Sequence, residues 1–305
     1  MKASLSGNEG RALTQPLFIK IADIMISLFS EDPELKLGAE GPMKKFLAEG
    51  RESDVSVRVG WGDCLEESKG RKLFDAGALW QLYHEDGSYF FRFTSSALGP
   101  LPYKVARFDL EYTSGDVHLR RQLFKSGQPI YPLEYPLDEL LIVNLLARGK
   151  GVVVHACGIV DPHGKGHLFV GQSEAGKTTM ARLWQKEPGV IVLSDDRIIL
   201  RKIDGHLWIY GTPWHGEAML ASSSRSPLTT VYFLEKGQKN ELIAQKPSDS
   251  ISRLFACSFP PFYNREALNF TLGFLESVVK EMPCYELKFK PDKSVVEFIQ
   301  EERFT

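Results

Sequence analysis

One glycine-rich stretch has the clearest potential for chemistry. Residues 171–178 read Gly-Gln-Ser-Glu-Ala-Gly-Lys-Thr and satisfy the phosphate-binding pattern G-x-x-x-x-G-K-[ST]. The glycines let the backbone turn tightly, so that successive N–H groups point at phosphates, and a following helix adds the positive end of its dipole. Lys177 is expected to reach the β- and γ-phosphates, and the Thr178 hydroxyl to ligate Mg²⁺. The predicted nucleotide-binding residues are Gly171, Gln172, Ser173, Glu174, Ala175, Gly176, Lys177, Thr178 and Thr179.

The flanking sequence supplies the structural context that such a loop needs. Residues 151–160 and 166–170 are two short apolar runs separated by the turn residues 161–164, which predicts two strands before the loop. Residues 178–185 after the loop place Met180 on the same helical side as Leu183 and Trp184. The sequence therefore predicts a strand, the loop and a helix in that order.

Acidic residues follow the next predicted strand. Residues 190–193 are apolar and end in Ser194, Asp195 and Asp196. An acid at the end of a buried strand beside a phosphate loop is suited to bind Mg²⁺, and a second acid can accept a hydroxyl proton. The alternative is that the two aspartates only form a turn. Further on, residues 211–217 combine two glycines, a proline and Glu217, which suits a loop that contacts substrate or metal.

Composition limits the classes of partner. The chain has 305 residues, enough for about two domains, and a net charge of -2, which gives no electrostatic signature of nucleic-acid binding. Its four cysteines form no C-x-x-C pair, which suits a reducing compartment. No apolar run is long enough to span a membrane, and no signal peptide is expected at the amino terminus. We therefore expect a cytoplasmic protein with neither a nucleic-acid nor a membrane partner.

The chain is predicted to divide near residue 132. Residues 1–132 contain hairpin patterns at 79–93 and 105–124, which predict a β-rich, mainly antiparallel domain. Its aromatic side chains could form a core or line a partner surface, and residues 17–29 fit a strand or a short helix. Residues 137–146 have helical spacing and open the predicted nucleotide-binding domain, 133–305.

The order of these motifs resembles that of bacterial HPr kinase/phosphorylase. The pair His155-Ala156 precedes the loop, and Leu193-Ser194-Asp195-Asp196-Arg197 follows it. The loop is also similar to that of ATP-dependent phosphoenolpyruvate carboxykinase. The resemblance implies an α/β (α+β) fold: a mixed sheet that contains the P-loop and is flanked by helices, a PEP-carboxykinase-like core, beside the N-terminal β-rich antiparallel domain.

The resemblance also implies roles for individual residues. Asp195 corresponds to the catalytic acid/base, and Asp196 would orient the metal or the nucleophile. His155 would lie near the transferred phosphate, although it could equally be a histidine of the sheet. Thr178, Asp196 and Glu217 form the implied metal set.

The resulting expectation is a kinase that depends on ATP and Mg²⁺. It would transfer the γ-phosphate to a hydroxyl, preferably of serine, on a protein, a peptide or a small molecule. The alternative is a catalytically detuned ATP-binding module that regulates or holds a partner, because Glu174 occupies a loop position usually held by glycine. The sequence leaves the acceptor, the choice among ATP, GTP and pyrophosphate, and assembly into a homo-oligomer open.

Overall fold

The computed structural model describes residues 15–62, 68–125 and 127–301. Residues 1–14, where no signal peptide is expected, and Cys64 lie outside these ranges. The described chain forms two compact units, the first comprising residues 15–19, 24–40 and 47–134 and the second residues 20–23, 41–46 and 135–301. No helix in these ranges has both the length and the hydropathy that a membrane crossing requires.

A nine-stranded sheet provides the framework of the first unit. Its strands are β1 (Leu17–Ile21), β2 (Ile24–Ser30), β3 (Leu47–Ala48), β4 (Val55–Trp61), β5 (Arg71–Asp75), β6 (Trp80–Glu85), β7 (Ser88–Phe93), β8 (Lys104–Asp109) and β9 (Ser114–Leu119). They lie in the order β3-β1-β2-β4-β9-β8-β7-β6-β5. In β4 the alternation of Val55, Val57 and Val59 with more polar residues buries one face, as period-2 patterning predicts.

The prediction that this region is antiparallel is only partly right. Strands β5 to β9 pair antiparallel, but β4 pairs parallel to both β2 and β9. Parallel neighbours need a crossover connection, and the segment between β2 and β4, with a 3₁₀ turn at Gly41–Phe46, supplies one. Alternation along a strand identifies its buried face but carries no information about the direction of its neighbour, so the sequence could not predict this pairing.

Local turn chemistry explains where the strands reverse. Residues 17–29 form two strands rather than a helix, with Ala22 (φ 49°) and Asp23 (φ 60°) in the connecting turn. The predicted hairpin of β6 and β7 is confirmed, with left-handed Asp86 and Gly87 between the strands. The turn between β8 and β9 is fixed by the Asp109 carboxylate, which accepts backbone N–H bonds from Glu111, Thr113 and Ser114.

The second unit combines a mixed eight-stranded sheet with five helices among its described residues. Its strands are β10 (Val152–Val160), β11 (Gly166–Val170), β12 (Ile191–Ser194), β13 (Arg197–Ile203), β14 (His206–Tyr210), β15 (Arg225–Lys236), β16 (Glu241–Ala244) and β17 (Cys284–Phe289). The helices are α1 (Leu137–Leu146), α2 (Lys177–Trp184), α3 (Pro247–Ala256), α4 (Arg265–Glu281) and α5 (Ser294–Glu301). The expected mixed α/β architecture is confirmed.

Five of these strands close into a ring. Hydrogen bonds connect β11 to β10, β10 to β13, β13 to β14 and β14 to β15, and β15 pairs back onto β11 in parallel. Alternate side chains of the ring enter two apolar clusters. One cluster includes Leu254 of α3 and Leu275 of α4, and the other includes Trp184 of α2 and Val296 of α5. The strand that precedes the 171–178 loop is therefore fixed by neighbours on both sides and by helices.

Candidate phosphate-binding and acid–base site

The 171–178 loop joins β11 to α2, and its two glycines are required by its shape. Gly176 has φ 107°, and a Cβ there would lie 2.6 Å from Cζ of Phe289. A Cβ on Gly171 would lie 2.6 Å from Cβ of Ala175. Both distances are shorter than a carbon–carbon contact allows, so a side chain at either position would force the loop or its neighbours to move. Glu174, which is exposed, also has a left-handed backbone, with φ 66°.

Lys177 is the first residue of α2 and reaches back over the start of the loop. Its Nζ donates to the carbonyl oxygens of Gly171 and Gln172, both at 2.8 Å. The side chain is largely buried, and burial lowers the pKa of its ammonium group, while the nearby Asp196 carboxylate opposes that shift. The ammonium is therefore a positioned cation beside the loop.

A chain of polar contacts links β10, β13 and α1. The register of β10 and β13 places His155 opposite Arg197. Nε2 of His155 lies 2.9 Å from Oδ1 of Asp196, and Nη1 of Arg197 donates to Oδ2 of the same carboxylate. Nε of Arg197 donates to Oε1 of Glu139 at 2.8 Å. Two carboxylates thus share one guanidinium, and one of them also contacts the histidine.

The electrostatics of this chain keep Asp196 ionised. Burial raises the pKa of its carboxyl, but the hydrogen bond from His155 and the charges of Arg197 and Lys177 outweigh burial and lower it overall. Burial raises the pKa of Glu139, and Arg197 opposes this shift. At neutral pH Asp196 is therefore a carboxylate whose two oxygens are oriented by neighbouring donors.

Asp195 has a different environment from its neighbour. It is 1% exposed, and its Oδ1 accepts N–H bonds from Gly216 at 2.9 Å and Leu220 at 3.4 Å. Its Oδ2 accepts from the backbone N–H of Ala218 at 2.9 Å. Both oxygens of this buried side chain hold the 215–220 loop, whereas the Asp196 side chain is 25% exposed, so the geometry favours Asp196 as the carboxylate that meets a substrate. The catalytic role of Asp195 stays a prediction.

The metal role of Thr178, Asp196 and Glu217 stays a prediction. Thr178 lies in the first turn of α2, and Glu217 is exposed in the loop that Asp195 anchors. In the ranges that the structure describes, no group of three or more His, Cys, Asp or Glu side chains could hold a metal ion. Mg²⁺ often takes one or two protein ligands with substrate phosphates and waters, so Thr178 and Asp196 fit this ion. The place of Glu217 in the set stays a prediction.

Sequence reasoning assigned no role to three residues of the site. The guanidinium carbon of Arg197 lies 4.1 Å from the ring centre of Phe259, and that ring is 6.2 Å from the His155 ring. Glu139 is the third member, a buried acid that follows the buried Asp138 in the first turn of a mainly apolar helix. That mismatch with the apolar pattern was the available signal for Glu139, whereas nothing in the sequence pairs Phe259 with Arg197.

A cavity of about 730 Å³ adjoins the loop. Such a volume is typical of small-molecule sites. It is lined by residues 170–175, 233–236, 252–253 and 256–257. The backbone N–H of His155 donates to the carbonyl oxygen of Cys257 at 2.6 Å, so the wall of the cavity is joined directly to the strand that carries His155.

Comparisons with known proteins match this chain to solved structures, and the likeness described here is distant. No protein-family model and no curated protein matches the chain. Among solved structures, it is similar to the HPr(Ser) kinase/phosphatase from Coxiella burnetii, with 11% sequence identity and a TM-score of 0.28, over 50% of this chain and 92% of that chain. The likeness concerns the fold alone and is distant, so we base no functional argument on it.

Proposed function

We propose that this chain is a phosphotransferase that depends on ATP and Mg²⁺ and transfers the γ-phosphate to a hydroxyl, with serine as the preferred acceptor. The observation that carries the proposal is the juxtaposition of two groups. Lys177 is held over the glycine-rich loop by two 2.8 Å hydrogen bonds, and its charge acts on the oriented carboxylate of Asp196. Phosphoryl transfer needs little more than this: cancelled phosphate charge, a positioned nucleophile and one proton acceptor.

The residues of the site divide the tasks of this reaction. The loop N–H groups and Lys177 bind the phosphates of ATP, and Asp196 orients the acceptor hydroxyl. As the acceptor oxygen forms its bond to the γ-phosphorus, Asp196 accepts the hydroxyl proton, and the bond between that phosphorus and the ADP oxygen breaks. His155 and Arg197 keep the carboxylate in place. Mg²⁺, held by Thr178 and Asp196, would supply charge neutralisation for the phosphate oxygens.

Titration calorimetry with ATP, followed by phosphorus NMR on the same samples, tests this proposal. Lys177→Ala should abolish tight binding of Mg-ATP, whereas Lys186→Ala, which removes an exposed lysine just beyond α2, should bind as the wild type does. Asp196→Asn should retain binding but form no phosphorylated acceptor. A wild-type protein without affinity for ATP would contradict the proposal.

A regulatory ATP-binding module is the second candidate, and Glu174 favours it. This exposed carboxylate is in the loop itself, with a left-handed backbone, where its charge opposes that of the phosphates. The module predicts ATP affinity without transfer to any acceptor and without ADP formation. Glu174→Gly would then strengthen ATP binding, and turnover by the unaltered protein would exclude the module.

A further inference from the structure

The cavity beside the loop contains a carboxylate that the proposed reaction does not use. Glu235 is the penultimate residue of β15, its side chain is 55% exposed, and it lines the cavity with loop residues 171–175. Strand β15 runs parallel to β11, with Phe233 opposite Val170. Glu235 therefore lies at the same end of the sheet as the loop, two residues beyond the position opposite the last residue of β11.

An acid in the position of Glu235 is suited to bind the sugar of a nucleotide. In parallel sheets that bind dinucleotides, a glycine-rich loop follows one strand, and an acid at the end of a neighbouring parallel strand accepts a hydrogen bond from the ribose. The distance between neighbouring strands is about 5 Å. An acid on the adjacent strand is thus placed to reach the sugar while the loop holds the phosphates.

A network on α3 orients Glu235. Nη2 of Arg253 lies 3.4 Å from Oε1 of Glu235, and Nη1 of Arg253 donates to Oε2 of Glu286 at 2.8 Å. The guanidinium lies over the ring of Phe233, 4.8 Å from its centre. The stronger bond thus goes to Glu286, and the longer contact leaves Glu235 with acceptor capacity that faces the cavity.

The same network disfavours a metal ion at Glu235. A guanidinium beside the carboxylate opposes the approach of a second cation. Thr178, the predicted metal ligand of the loop, is not among the residues that line the cavity at Glu235. A neutral, hydroxyl-rich group fits this place better than Mg²⁺ does.

We propose that Glu235 accepts hydrogen bonds from the 2′- and 3′-hydroxyls of the nucleotide, so that the cavity is the ribose site and selects a ribonucleoside triphosphate. This inference rests on the proposed function, because it takes the 171–178 loop as the phosphate site. It adds the residue that distinguishes the sugar, and it assigns α3 to nucleotide binding.

The test compares ligands with and without the hydroxyls on matched variants. Wild type, Glu235→Gln and Glu241→Gln are titrated with Mg-ATP, with Mg-2′,3′-dideoxy-ATP and with inorganic tripolyphosphate. Glu241 lies on β16 beside Lys239 and is not part of the cavity wall, so its variant controls for loss of one charge. Thermal melts of all three proteins confirm that they are folded.

We expect Glu235→Gln to bind ATP about fivefold to tenfold more weakly, because a charged acceptor of the ribose hydroxyls becomes a neutral one. It should bind dideoxy-ATP and tripolyphosphate as the wild type does. Equal loss for ATP and dideoxy-ATP, or a loss that disappears without Mg²⁺, would overturn the ribose assignment while leaving the proposed function intact. A wild type that binds neither ATP nor tripolyphosphate would overturn the proposed function, and the ribose assignment with it.

Discussion

Asp195→Asn separates an anchoring role for this residue from a catalytic one. The substitution keeps the shape of the side chain but leaves one oxygen where the carboxylate has two. If that oxygen takes the position of Oδ1, it still accepts from Gly216 and Leu220, but the Asn amino group then faces the N–H of Ala218. Two donors then meet in a buried site.

The magnitude follows from these contacts. One charged hydrogen bond is lost, at about 1.5–3 kcal/mol, and two others become neutral, which brings the expected destabilisation to about 2–4 kcal/mol. For a unit of this size, each kcal/mol of destabilisation lowers the melting temperature by about 2–4 °C, so the expected fall is about 5–15 °C. Hydrogen exchange at the amides of residues 216, 218 and 220 should accelerate as well.

Calorimetric melting and exchange mass spectrometry are the assays, with Asp204→Asn as the control. Asp204 is an exposed turn residue with φ 49°, a conformation that Asn tolerates, so the same charge change should be nearly neutral there. The anchoring role would be refuted if Asp195→Asn had the melting temperature of the wild type and unchanged hydrogen exchange over residues 216–220. If that variant had also lost turnover, Asp195 would be the acid/base.

Two further predictions concern the loop and the acidic site. Gly176→Ala should lose about 2–4 kcal/mol in denaturant unfolding, because it combines a left-handed backbone with a Cβ 2.6 Å from Phe289. Gly149→Ala, with φ 87° and open space around it, should lose only about half as much, and equal losses would exclude the clash. Because the folded pKa of Asp196 lies below its usual 3.8, the stability from this group is complete above that pH and is lost as the pH falls through the folded pKa. Unfolding free energies between about pH 2 and 5 should therefore depend less on pH in Asp196→Asn than in wild type, and parallel curves would exclude this linkage.

Local patterns predicted much of the second unit. The strand before the 171–178 loop, the helix after it and α1 follow from hydrophobic spacing and from turn residues, because those signals act within a few residues. The loop's position between β11 and α2 follows for the same reason. Short, weakly apolar strands such as β5 and β16 left no such signal.

What the sequence could not supply was the pairing of distant groups. Arg197 meets Glu139 across 58 positions, and the amides that occupy Asp195 come from residues 21 to 25 positions ahead. Asp195 and Asp196 are adjacent and look equivalent in the sequence, but after the end of β12 their side chains have different neighbours. Asp195 accepts from backbone amides of a loop, whereas Asp196 contacts the side chains of His155 and Arg197, and this difference depends on the tertiary structure.

The pairing of β11 with β15 also constrains the order of events during synthesis of the chain. Strand β11 gains its parallel neighbour only from β15, whose paired residues lie some 60 positions later. At about 5–20 residues per second, several seconds pass on the ribosome between the appearance of the loop and that of its support. The parallel pair therefore forms only after β15 has emerged, and a ribosome that stalls before residue 225 would carry residues 171–178 without the strand that flanks β11.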